Sequence, residues 1–273
     1  MAYEITQQVY DALLLCTKKR TGLEDRKESI RHIVVGSSHG DYGFIPELIP
    51  GSYNICTPSQ DLMHSSLIYQ YACGMCPNIQ SVIVFYSAFS PGFSLQETSG
   101  KWWCAVLKET FSLDISYDCD EIMREYYRFA GITRNSRVPI ETYGRLLSLD
   151  ASGLPEDYGA ARRANDHLKH NIRKSQHAHL MTIIGMAKAR RHRLLVVIPP
   201  ARVDYRSFLP PSCDLFSKIF QLRDALKEHA HFEIINLFDR DEFNHEWFTD
   251  FDHLRPCDEG ARLLTNIVAQ SLY

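Results

Sequence analysis

Four short runs of aliphatic and aromatic residues constrain this chain most: His32-Ile-Val-Val-Gly36, Ile79 to Phe85, Leu194 to Ile198 and Phe232 to Leu237. In the first three the Ile, Val and Leu residues run on without polar alternation, so as strands they must be covered on both sides; Phe232 to Leu237, with Glu233 and Asn236 inside it, reads as a further strand. Between them lie stretches of helical length and helical spacing. Strands that alternate with helices fold into a mostly parallel central sheet between two helical layers, which places the chain in the three-layer α/β/α class.

The intervening segments fill in this scheme. Residues 1 to 30 place Ile5, Val9 and Leu13 among polar neighbours and read as a leading amphipathic helix. Ser52 to Thr57 is a weaker strand, and Asp61 to Cys73 follows as a helix with Leu62, Leu67 and Tyr71 as its apolar positions. Arg162 to Arg191 reads as one long helix or two, and the strand after it ends at Pro199-Pro200, which cannot donate to a ladder. Leu215 to Leu226 and Ala261 to Val268 complete the helices. Residues 95 to 160 hold Trp102, Trp103, several prolines and glycines and no strand of comparable strength. They are expected to form a helical or irregular cap inserted in one domain spanning residues 1–273, a length that one α/β core can accommodate.

Composition removes several functional classes. Hydrophobic residues make up 45% and charged residues 23%, and the net charge is −3, so no global basic field exists to capture nucleic acid through its phosphates. No stretch reaches the ~20 apolar residues that a membrane-crossing helix requires. The longest early apolar run is Ala12 to Cys16, too short for the core of a secretory signal. Eight cysteines scattered through a chain of this size read as reduced core thiols, and a cytoplasmic location is expected. Cys73-Gly-Met-Cys76 has the spacing of half a zinc site, but no second such pair completes it, and no resident metal or cofactor is expected. His177-Ala-His179 and His229-Ala-His231 are poor ligand pairs, the first because side chains two apart on a helix diverge. Lys188 to Arg193 reads as a solvated helix end, with an anionic substrate or donor as the lesser reading. Gly36-x-x-x-Gly40-x-x-Gly43 lacks the pattern of a phosphate cradle.

The chemistry concentrates at the two ends of the chain. In open parallel sheets functional groups gather beyond the carboxyl ends of the strands, and Gly36-Ser37-Ser38-His39 stands at such a point. A serine hydroxyl becomes a competent nucleophile only beside a base that takes its proton. Asp250-Phe251-Asp252-His253 supplies an imidazole before the last helix, with a carboxylate three residues earlier that can turn back to the ring. Asp252 is the alternative acid.

These two blocks resemble the first and last blocks of the SGNH (GDSL-like) hydrolase superfamily, and the similarity continues through Asp252-His253-Leu254 and Gly260-Ala261. The resemblance implies a serine esterase or O-acyltransferase of the α/β/α fold with Ser38 as nucleophile, His253 as base and Asp250 as orienting acid. The chain also resembles bacterial members that modify surface polysaccharides, which implies O-acetyl chemistry on a carbohydrate. The acceptor is then water or a sugar hydroxyl, and acetyl-CoA is a candidate co-substrate for a transferase. Two positions depart from the family: Ser37 replaces the Asp of Gly-Asp-Ser, and Phe85-Tyr-Ser-Ala-Phe-Ser90 stands where Gly-x-Asn-Asp is usual. Ser87, with the backbone N–H groups of Ser38 and Ser59, is the candidate replacement for the missing oxyanion donor. A catalytically silent glycan-binding or scaffold protein on the same fold is the competing reading, drawn from that missing Asn and from Trp102, Trp103, Tyr126 and Tyr127.

Overall fold

A computed structural model describes residues 2–116, 131–133, 135–145, 153–173, 175–226 and 231–273. Five strands form one all-parallel sheet: β1 (His32–Val35), β2 (Ser52–Asn54), β3 (Ser81–Phe85), β4 (Arg193–Ile198) and β5 (Phe232–Asn236). Their order across the sheet is β2-β1-β3-β4-β5. The chain leaves β1 for one neighbour and later returns to the other, so the direction of winding reverses between β1 and β3. Such a reversal opens a crevice at the carboxyl edge.

The three layers follow from the period-two geometry of the strands. Ile33, Val35, Val82, Val84, Leu194, Val196 and Ile198 belong to one buried cluster, and Val34, Ile83, Phe85, Leu195, Val197 and Ile235 to another. Alternate residues of each strand thus feed opposite faces. Each fully buried aliphatic side chain of this kind stabilises the fold by about 1.5–3 kcal/mol relative to exposure.

The helices of the first face are α1 (Ala2–Asp25), α3 (Leu62–Met75), α4 (Trp102–Phe111) and α6 (His177–Arg190). Asp61 caps α3 by accepting the His64 amide at 2.8 Å. Segment 162–191 resolves into two helices, α5 (Ala160–Arg173) and α6, with Ser175 and Gln176 outside both. The opposite face is covered by α10 (Glu259–Gln270), whose Leu264 and Val268 enter the second cluster, and by the short α2 (Ser38–Gly43) against which α10 packs. Short helices α7 (Val203–Arg206), α8 (Ser212–Leu215) and α9 (Ser217–Ala225) connect β4 to β5, so the predicted helix 215–226 is split at Phe216.

Two expectations need revision. Helix α1 is not merely amphipathic: from Ala12 to Leu23 most of its circumference is buried. Helix α4 covers one side, and its polar residues find internal partners, among them a Lys19–Asp41 pair at 2.7 Å and an Arg20 guanidinium bonded to the Ser136 carbonyl. Within the expected cap, α4 contributes Cys104, Ala105, Val106, Leu107 and Phe111 to the main core. That stretch is thus a core element; residues 117–130, 134 and 146–152 lie outside the described residues, as do Tyr126, Tyr127 and His229. Among the described residues no helix is long and apolar enough to cross a membrane.

Candidate active site

The turn between β1 and α2 is built around Gly36. Its φ of +139° is a conformation that side chains rarely adopt, and a Cβ there would come within 2.8 Å of the Phe85 Cβ on β3. The tight exit aims the start of α2 over the crevice beside β3. Ser37 is buried as the N-cap of α2, and Ser38 opens the helix with its side chain partly exposed. Asn54 at the end of β2 donates to the Gly40 carbonyl at 2.8 Å, and Thr57 donates to the Gly36 carbonyl at 3.2 Å. Both bonds fasten this turn to its neighbouring strand.

The second block comes from the loop between β5 and α10. Phe248 and Leu254 form an antiparallel bridge, and Thr249 donates to the His253 carbonyl at 2.8 Å. Inside this closed turn Asp250 Oδ1 accepts the amides of Asp252 at 3.1 Å and His253 at 2.9 Å. This is an Asx turn, the physical basis of the three-residue spacing. Oδ2 of the same carboxylate accepts the Leu154 amide at 3.1 Å. Gly153 permits that approach: its φ is +68°, and a Cβ would lie 2.9 Å from Asp250 Oδ2.

The loops bring Ser38, His253 and Asp250 together. The Ser38 hydroxyl lies 2.8 Å from His253 Nε2 across 215 residues of sequence. On the far side of the ring, Nδ1 is 3.0 Å from each Asp250 oxygen. The carboxylate fixes the proton on Nδ1, leaving the Nε2 lone pair to accept from Ser38. Burial opposes charge on His253, but the Asp250 and Asp252 carboxylates together outweigh it and raise its pKa above 6.5. Burial likewise opposes charge on Asp250, yet His253 and the hydrogen bonds hold its pKa down at about 2.

A second chain of polar groups runs beside the first, which sequence reading missed. The Ser37 hydroxyl lies 3.0 Å from His39 Nδ1, and His39 Nε2 lies 2.8 Å from Asp252 Oδ2. The His39 and His253 rings stack with centroids 4.3 Å apart. Arg163 of α5 grips Asp252 through both oxygens, at 2.9 and 3.3 Å. Burial would raise the Asp252 pKa; Arg163, His253 and the His39 bond instead hold it well below the ordinary carboxylate range. Burial and the neighbouring His253 push His39 down to about 4, so it stays neutral at physiological pH. His39 directly followed the candidate nucleophile in sequence, but nothing local marks Arg163, more than a hundred residues away, as its neighbour.

The candidate oxyanion donors fare differently. Ser38 is the first residue of α2, so its N–H is one of the helix's opening donors, which have no intrahelical acceptor. Ser59 stands beyond the carboxyl end of β2 with φ +56°, a left-handed conformation that is costly for a residue other than glycine. Ser87 is buried; its amide donates to Ser90 Oγ at 2.9 Å, and its hydroxyl lies 3.2 Å from the same oxygen. It closes its own turn.

His39, Asp252 and His253 place ligand atoms within 4.8 Å of one another. Those atoms already bond to one another, to Arg163 and to Ser38, so a cation there would have to displace the guanidinium and dismantle both chains. Cys73 and Cys76 remain free thiols at the end of α3. The basic run Lys188 to Arg193 leads into β4 at the sheet's amino edge, opposite the site, and Arg193 pairs with Glu233 at 3.1 Å. No family model and no curated protein sequence matches this chain.

Proposed function

We propose that this protein is a serine-dependent acyl-ester enzyme, an O-acetyltransferase or O-acetylesterase acting on a carbohydrate. The observation that carries the reading is the continuous chain from Ser38 Oγ through both nitrogens of His253 to Asp250. It joins a partly exposed hydroxyl to a buried carboxylate, at the sheet edge where substrates reach α/β proteins.

In this mechanism Ser38 Oγ attacks the ester carbonyl as its proton passes to His253 Nε2. The imidazolium is stabilised by Asp250, which keeps its own proton affinity low and so does not take the proton. The amides of Ser38 and Ser59 are the donors assigned to the carbonyl oxygen. Collapse of the tetrahedral intermediate expels the alcohol with the proton from His253 and leaves an acyl-Ser38 ester. Water or a sugar hydroxyl, deprotonated by His253, then releases the acyl group. The carbohydrate acceptor and an acetyl-CoA donor follow from the resemblance to polysaccharide-modifying hydrolases. A cytoplasmic setting belongs to the same proposal and accords with the buried thiols of Cys16 and Cys56, which form no disulfide.

A fluorophosphonate probe tests the reading, since it labels a serine only where a neighbouring base has activated the hydroxyl. Wild-type protein is expected to label at Ser38, and Ser38→Ala to abolish labelling. With p-nitrophenyl acetate or an acetylated sugar, Ser38→Ala and His253→Ala should each lower kcat by roughly 10³–10⁶, with the double variant little worse. A folded wild-type protein that neither labels nor turns over ester would sink the proposal in favour of a silent glycan-binding protein.

A further inference from the structure

We propose that Arg163 is a positioning residue that assigns the acid's role to Asp250, by binding Asp252 into a second, non-nucleophilic Ser37–His39–Asp252 relay. The inference rests on the triad reading above and concerns how the base of that triad is kept usable.

The geometry poses a problem that Arg163 solves. Two carboxylates face one imidazole: Asp250 at 3.0 Å from His253 Nδ1 and Asp252 Oδ1 at 3.6 Å. Two uncompensated anions around a buried ring would hold a proton on it, and a permanently protonated His253 cannot accept one from Ser38. Arg163 Nε stands 2.9 Å from the same Asp252 oxygen that approaches His253, and its second nitrogen reaches the other oxygen at 3.3 Å. With the guanidinium present, the cluster of Asp250, Asp252, Arg163 and neutral His253 carries one net negative charge; without it, two.

The other groups around His253 add no charge of their own at neutral pH. From α2 it meets Ser38, the stacked neutral His39, and Tyr42 at 5.3 Å between centroids. From α5, beside Arg163, comes His167, buried, bonded to Tyr205 at 2.6 Å and pushed well below the ordinary histidine range chiefly by burial. Asp252, held as an anion, fixes the His39 proton on Nε2, so His39 Nδ1 accepts from Ser37. Ser37 accordingly spends its hydroxyl on His39 and makes no side-chain capping bond to α2. Its relay ends on a buried hydroxyl next to the nucleophile, in a place substrate does not reach.

The test is an NMR titration of the His253 ring in the full-length protein, which reads its proton affinity without turnover. Arg163→Gln is expected to move the His253 midpoint to higher pH and Asp252→Asn to lower pH. Arg163→Lys, which restores the cation, should return it towards wild type. The rate of fluorophosphonate labelling should follow, with Arg163→Gln slow at pH 7 and recovering as pH rises. Should Arg163→Gln fail to fold, the double variant Arg163→Gln/Asp252→Asn removes the orphaned anion, keeps one net negative charge as in wild type, and should titrate near wild type and above Asp252→Asn. An unmoved His253 midpoint in Arg163→Gln or in Asp252→Asn, or a double variant that titrates no higher than Asp252→Asn, overturns the proposal. A protein whose His253 shifts as expected but whose Ser38 never labels would overturn the esterase reading alone.

Discussion

Adjacent serines at the start of α2 have separate partners, and those partners divide their work. Ser38 faces His253, whereas Ser37 faces inward to His39. Removing the Ser37 hydroxyl deletes one hydrogen bond, whose net value of about 1 kcal/mol limits the loss in kcat to about fivefold. Under the proposed mechanism the same change at Ser38 removes the nucleophile. Ester turnover by Ser37→Ala and Ser38→Ala, measured side by side on folded protein, separates them; a dead Ser37 variant beside an active Ser38 variant would reverse the assignment. In the sequence the resemblance of the first block pointed to Ser38, and the three-residue spacing of the last block to Asp250. The inertness of the nearer Asp252 was not legible, since it depends on a guanidinium contributed by another helix.

At the level of elements, α2 is too short to hold itself in place, and six residues gain little from helix formation alone. Its position depends on the strand-end bonds from Asn54 and Thr57 and on a buried ion pair with α1. Lys19 Nζ lies 2.7 Å from Asp41 Oδ1 and 2.8 Å from the Gly144 carbonyl, with both charged side chains fully buried. Truncating one partner of such a pair strands a buried charge and costs about 3–5 kcal/mol. Lys19→Met should therefore lower the urea midpoint of unfolding by a corresponding amount, and also slow Ser38 labelling as α2 loosens. Unchanged stability would show that the pair is not what anchors α2. Strands β1, β3 and β4 were legible from their apolar runs, and α3 from its apolar spacing. The burial of α1 was not, because Lys19, Arg20 and Thr21 mark a solvent face until their partners at Asp41, Ser136 and Val138 are known.

For the whole molecule, the buried histidines set the acid limb of stability. His39 is held down at about 4, and His32, His167 and His192 are also lowered, in each case chiefly by burial. A group whose folded pKa is depressed binds more protons when unfolded, so between pH 6.5 and about 4 stability falls as pH falls. His253 has the opposite sign: its raised pKa contributes stability below 6.5 that is lost as pH climbs through its folded value. Four lowered histidines against one raised should give a urea midpoint that declines steadily from pH 7 to pH 4.5, with a shallower decline in His39→Gln. A midpoint that rises on acidification would contradict that balance. The sequence by itself determined the layered parallel fold, because hydrophobic periodicity is a local property, and it determined the two short blocks from which Ser38, His253 and Asp250 come. Only the tertiary structure decided which carboxylate lies against His253 Nδ1, which serine is turned inward and whether the Ser87 amide already has an acceptor. Each of those outcomes depends on charge and hydrogen-bond partners brought together by folding, and in a buried site such partners outweigh anything the neighbouring residues dictate.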